Sequence, residues 1–332
     1  MRMTIQTRIK PFPLPTELPC EKALKSQKQN SGAYEPWFWE GEYFLNRYLK
    51  QISNIDLIER YKDILFNIQR LPLADKTNLP INWPDSAWYW LRKEHQTRLE
   101  IWERKLTGIE TPKSLQLKER CYISTDDKSE KAYRYMPENY ARQFMSGSIR
   151  IAPANDYGKI KDDAARYDIE TCKTFFLPQD RVTVTDSGGK KIKLTSDVKV
   201  DHSGGDYHLL STSTEWSSTM FLDFKGSTHC VVIHDIDEFA TRLENSAQNT
   251  YDDWHFYHNP VFYFDPHEAY LGMPIDTAAH KSFKFAYQQE YRFLWGGVEN
   301  PEMNQPKFIN IGNIDDIAEL VINPLEKYQS LK

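Results

Sequence analysis

The chain has 332 residues, with 42 Lys and Arg against 47 Asp and Glu, a net charge of −5 and a pI near 6.0. That balance gives no general pull towards nucleic acid or an anionic membrane, though it leaves room for a local basic groove. Aromatic residues make up 14% of the chain, which argues for a packed globular protein and against disorder.

The length suits one large domain or two ordinary ones. Cys20, Cys121, Cys172 and Cys230 are far apart and form no C-x-x-C pair, so reduced thiols in a cytoplasmic protein are expected. The N-terminus is polar, and no apolar run approaches the roughly 20 residues of a membrane helix; no membrane partner is expected.

Residues 1–35 carry Pro11, Pro13, Pro15 and Pro19 with little periodicity, and predict an extended arm. Residues 36–115 predict a helical bundle. Its first helix spans 37–52, and its second spans 54–69, with Leu57, Ile58, Tyr61, Ile64, Leu65 and Ile68 spaced by three and four. After a loop containing Pro72, Pro80 and Pro84, a third helix opens with Asp85 as N-cap.

The charged residues 108–130 read as the passage into a second domain, taken from 116, and from Tyr133 onward strand signals dominate. Tyr133-Arg134-Tyr135 is a short strand, and Pro137 to Gly147 reads as a helix with Pro at its start and Gly at its end. Strands are predicted at 149–152, 207–213, 228–234, 261–264, 283–295 and 316–322, with a hairpin around Gly188-Gly189. The fold class is therefore α+β: a helical bundle, then a domain of twisted, mostly antiparallel sheets.

Three marks carry chemistry. In 283–295 the odd positions are almost all aromatic, so period-two alternation lines up Gln288, Glu290 and Arg292 on the opposite face. Leu209-Leu210-Ser211-Thr212-Ser213 places small hydroxyls at a strand end, where each offers a donor and two acceptor lone pairs. Arg134, between two tyrosines, is suited to grip a phosphate bidentately.

Arg, then Ser-Thr-Ser, then Gln-x-Glu, each on a strand and in that order, resembles the arginine–serine–glutamate clade of ADP-ribosyltransferases. The resemblance spans residues 133–295. It implies a split-sheet transferase domain over 116–332, with NAD as substrate and a protein or nucleic-acid acceptor. It also implies that Arg134, with Tyr135, anchors NAD. Ser211, Thr212 and Ser213 support the ribose and the glutamate, Glu290 is the catalytic carboxylate, and Gln288 orients the acceptor. A bacterial toxin or anti-phage role follows from the family's habits, with an inhibitory or sensing partner at the N-terminal helices.

Other readings stand beside this one. The motifs serve equally as scaffold in a non-catalytic binding or effector protein. The acidic run Asn155, Asp156, Asp162, Asp163, Asp168 and Glu170 suits a metal-dependent nuclease or a solvated loop. His255 and His258 have a zinc-like spacing without a third ligand, and no Rossmann or phosphate-loop glycine pattern is present.

Overall fold

The structure, a computed structural model, describes residues 35–71, 73, 84–109, 131–248, 254–268, 275–297 and 304–324. The expected N-terminal arm and most of the link into the second half lie outside the described residues.

Three helices come first: α1 (Pro36–Asn46), α2 (Asn54–Arg70) and α3 (Ala87–Glu103). α1 stops earlier than its apolar pattern suggests because Arg47 turns left-handed, at φ 32°, and closes the helix on the Tyr43 carbonyl. Ser53 caps α2 by accepting the Asp56 N–H at 3.1 Å. Ser86, rather than Asp85, caps α3 by accepting the Trp88 N–H at 3.2 Å. Leu57, Tyr61, Ile64, Leu65 and Ile68 form the buried stripe of α2, as their spacing predicts.

The main sheet is built from β1 (Ala132–Met136), β2 (Ser148–Pro153), β7 (His208–Ser213), β8 (His229–Ile233), β9 (Trp254–Pro260), β12 (Glu290–Gly297), β13 (Lys307–Asn310) and β14 (Ala318–Ile322). All its pairings are antiparallel. β3 (Cys172–Leu177) pairs with β6 (Val198–Ser203), and the hairpin near Gly188 is β4 (Val184–Thr185) with β5 (Lys191–Ile192). β10 (Phe262–Phe264) and β11 (His280–Ser282) form a small parallel pair.

Helix α4 (Glu138–Met145) follows β1, and a short α5 (Ala154–Tyr157) follows β2. A further short helix, α6 (Met220–Asp223), precedes β8, and α7 (Ile236–Gln248) follows it. Phe144 of α4 and Phe239 and Leu243 of α7 pack with Leu210, Val231, Phe293 and Trp295 of the sheet in the largest apolar core.

The sheet opens at β7. One edge of β7 pairs with β12 along its whole length. The other edge meets β2 at His208 and Leu209, then β1 at Ser213. Between those contacts Ser211 has neither strand beside it. β1 and β2 thus diverge from a shared strand, leaving a gap in the sheet.

The expected strand at 283–295 is two elements. Phe283–Gln288 is a 3-10 turn, Gln289 is left-handed at φ 44°, and β12 begins only at Glu290. Aromatic alternation misleads here because Phe283 and Ala286, three apart, both face the helical half, where Phe283 stacks on Trp90. The sequence pattern does not foretell β3, β6, β9, β11, β13, α5, α6 or α7.

The helices and the segment that follows β10 share a buried charge network. Arg60 of α2 donates to both Asp265 oxygens at 2.7 Å, and Lys93 of α3 reaches the same carboxylate at 2.7 Å. Such pairs add little net stability, but removing one partner strands a buried charge. No helix among the described residues is long and apolar enough to cross a membrane.

Candidate functional site

A cavity of about 770 Å³ opens at the gap in the sheet, and Arg134, Ser211, Gln288 and Glu290 all line it. Registers explain the convergence. Glu290 lies opposite Ser213 and Arg292 opposite Ser211, so these four side chains share one sheet face. Tyr133 also lies opposite Ser213, which sends Arg134 to the other face. Its guanidinium reaches the cavity through the gap and donates from Nη1 to the Ser211 carbonyl. That carbonyl is the one the gap leaves without a strand partner.

Arg134 carries no ion pair among the described residues, and its buried Nε has no hydrogen-bond partner. Burial pushes its pKa down to about 10. The face of Phe144 lies 5.9 Å from it. A half-buried, uncompensated cation at the edge of a cavity is a seat for an anion.

Glu290 is only 5% exposed. Its Oε1 accepts from Ser211 Oγ at 2.5 Å and from Arg292 Nε at 2.8 Å, while Oε2 accepts from Lys281 Nζ at 2.8 Å. Burial by itself would raise its pKa, but the Arg292 guanidinium and Lys281 ammonium more than offset that and hold it well below the usual range. The carboxylate is ionised and fixed at the cavity wall, and Oε2, with a single hydrogen bond among the described residues, keeps acceptor capacity.

Behind it lies a balanced layer of charge. Arg292, fully buried, donates from Nη2 to both Glu170 oxygens at 2.7 and 2.8 Å. Lys173 joins Glu170 at 3.0 Å and Asp168 at 3.4 Å. Glu170, Glu290 and Asp168 thus balance Arg292, Lys281 and Lys173. Despite burial, Arg292, Lys281 and Lys173 draw the Glu170 pKa down to about 2.

Gln288 is buried and fully engaged. Its Oε1 accepts from Lys281 at 3.0 Å, and its Nε2 donates to the Ala165 carbonyl at 2.6 Å. The left-handed Gln289 that follows is held by its carbonyl, which accepts the Thr214 N–H at 2.7 Å. A non-glycine residue in that conformation costs about 1–2 kcal/mol, and here it turns the chain so that Gln288 and Glu290 both reach Lys281.

The remaining expected site residues, Tyr135, Thr212 and Ser213, line the same cavity, and their polar groups are engaged within the protein. Tyr135 borders the cavity, but its ring packs with Trp216, Phe221 and Phe224, and its hydroxyl accepts the Ser217 N–H at 2.9 Å. Thr212 donates to the Tyr291 carbonyl at 3.1 Å, across the ladder. Ser213 closes the following turn, donating to the Glu215 carbonyl at 3.0 Å.

Lys281 had no signal in the sequence, and Glu170 was hidden in an acidic run that reads as a loop. Only Asp168 and Glu170 of that run meet, on Lys173; Asp156 pairs with Lys159, Asp163 with Arg166 and Asp162 with Lys225. His255 and His258, three apart on β9, face opposite ways, and His258 hydrogen-bonds Tyr291 at 2.8 Å. Among the described residues no group of three or more His, Cys, Asp or Glu is placed to hold a metal ion. Comparison with protein-family models, curated proteins and solved structures finds no match to this chain.

Proposed function

We propose that this protein transfers ADP-ribose from NAD to a macromolecular acceptor. The observation that carries the reading is the convergence of Arg134, Ser211 and Glu290, from three distant segments, on one cavity. Ser211 touches both of the others, by its carbonyl and by its hydroxyl.

In this reading the bond between ribose C1′ and the nicotinamide nitrogen breaks, and the electron pair leaves with neutral nicotinamide. Positive charge grows on the sugar as the bond lengthens. Glu290 stabilises it, since an ionised carboxylate in a water-poor site is worth far more than in bulk. Its free Oε2 lone pair accepts a ribose hydroxyl, and Ser211 fixes the carboxylate. Arg134 meets the phosphates. An acceptor nucleophile then bonds to C1′ and releases its proton to solvent. Gln288, locked between Lys281 and Ala165, shapes the wall where that acceptor enters.

The test is incubation with labelled NAD and a cell lysate. Label transfer by the wild type and its loss by two or more orders of magnitude in Glu290→Gln is expected. Equal transfer by both removes Glu290 from the mechanism. A binding or effector protein without catalysis predicts that NAD neither turns over nor raises the melting temperature at ligand excess.

A further inference from the structure

We propose that Arg150 and Phe308 seat the part of the ligand remote from Glu290, so that the site selects a pyrophosphate-linked dinucleotide over a mononucleotide. The assignment rests on the NAD reading above and adds the residues that set ligand length.

Five cations line the cavity: Arg134, Arg150, Lys159, Arg166 and Lys281. Lys159, Arg166 and Lys281 each hold a carboxylate, those of Asp156, Asp163 and Glu290. Arg134 and Arg150 hold none among the described residues. Two unspent guanidinia in one cavity fit two linked phosphates better than one.

Their placement gives an order. Ala152 lies opposite Leu209, so Arg150 shares a sheet face with Ser211 and Glu290. Phe308 lies directly opposite Arg150 in the β2–β13 ladder, on the same face. Ile149 and Ile151, which alternate with Arg150, are fully buried in the core. From β12 through β7 and β2 to β13 is three strand spacings, roughly 14 Å. Moving away from the carboxylate, a ligand meets Arg134 at the gap, then Arg150, then an aromatic ring. Phe308 is 55% exposed and Tyr140, also on the wall, is 57% exposed. A bare ring beside a guanidinium suits a nucleobase joined to phosphate.

Calorimetric titration with ADP-ribose and with nicotinamide mononucleotide tests the assignment on the full chain. The wild type is expected to bind ADP-ribose at least tenfold more tightly. Arg150→Ala and Phe308→Ser should each weaken ADP-ribose at least fivefold while leaving nicotinamide mononucleotide within twofold, and Phe308→Tyr should restore binding. Both positions are exposed, and an unchanged melting temperature verifies folding. Wild-type-like ADP-ribose affinity in both variants overturns the assignment and leaves the transferase reading intact. A wild type that binds neither NAD nor ADP-ribose overturns both.

Discussion

Asn67 on α2 holds Tyr287 in the turn that presents Glu290: its Oδ1 accepts the Tyr287 N–H at 2.7 Å. Its Nδ2 donates to the Lys284 carbonyl of the same turn at 3.1 Å. The asparagine is fully buried, so the helical half fixes the backbone from which the carboxylate emerges. Asn67→Leu should leave the Tyr287 amide unsatisfied and destabilise the protein by about 1–3 kcal/mol. With NAD as substrate, kcat should fall more than KM rises, because what is lost is placement of the carboxylate. An unchanged melting temperature together with unchanged kcat would dismiss this role.

Lys281 links Gln288 to Glu290, and its removal is predicted to be costly. Lys281→Met leaves the buried carboxylates of Glu170 and Glu290, with the partly exposed Asp168, sharing two cations, a loss of about 3–5 kcal/mol. The Glu290 carboxyl should titrate higher without the ammonium. Urea denaturation reads the first effect, and a midpoint within error of wild type counts against it.

Acid should weaken the charge layer in a definite window. The folded pKa of Glu170, about 2, lies below its ordinary value near 4.3 in an unfolded chain. Its stabilisation is therefore present above that value and lost as pH falls from about 5 to about 2. Asp223, paired with Arg70 but raised to about 6 by burial, has the opposite sign: its contribution declines as pH rises from about 4 to about 6. Glu170→Gln should flatten the acid limb of unfolding free energy against pH, and Asp223→Asn the limb between 4 and 6. Superimposable curves would refute the assignment.

Gly147 joins α4 to β2 at φ +85°, and a Cβ there would overlap the Gly312 carbonyl. Gly147→Ala combines left-handed strain with a backbone clash, on the order of 3 kcal/mol or more. The Ile311 N–H donates to the Gly147 carbonyl at 2.9 Å, so the β2–β13 ladder should loosen as well. Hydrogen exchange at Ile149 and Ile309 should rise in a folded variant; protection equal to wild type would show that the turn does not govern the ladder.

Much of the architecture was legible where one periodicity governs. The α2 stripe, α4 between Pro137 and Gly147, and the Ser-Thr-Ser strand all follow from local pattern. Phe283–Gln288 was not legible, because its aromatics answer to Trp90 and Phe66 on the helices, contacts more than 150 residues away in the chain. The three motif residues could be named from sequence, but not what surrounds them. Lys281 and Glu170 belong to the site through long-range charge balance, which leaves no trace in local spacing. Tyr135 borders the cavity, but its ring is packed against Trp216, Phe221 and Phe224, partners from a later segment that the local pattern around Arg134 does not reveal.

Arg292 Nη2, bridging both Glu170 oxygens, ties the cavity wall to the strand carrying the carboxylate. Neither partner can drift alone, since a lone substitution maroons an ion away from water. Descendants of this chain should therefore alter both together or keep both. Residue 170 will then behave genetically like the pocket it buttresses, despite lying 120 positions from Glu290 in the sequence.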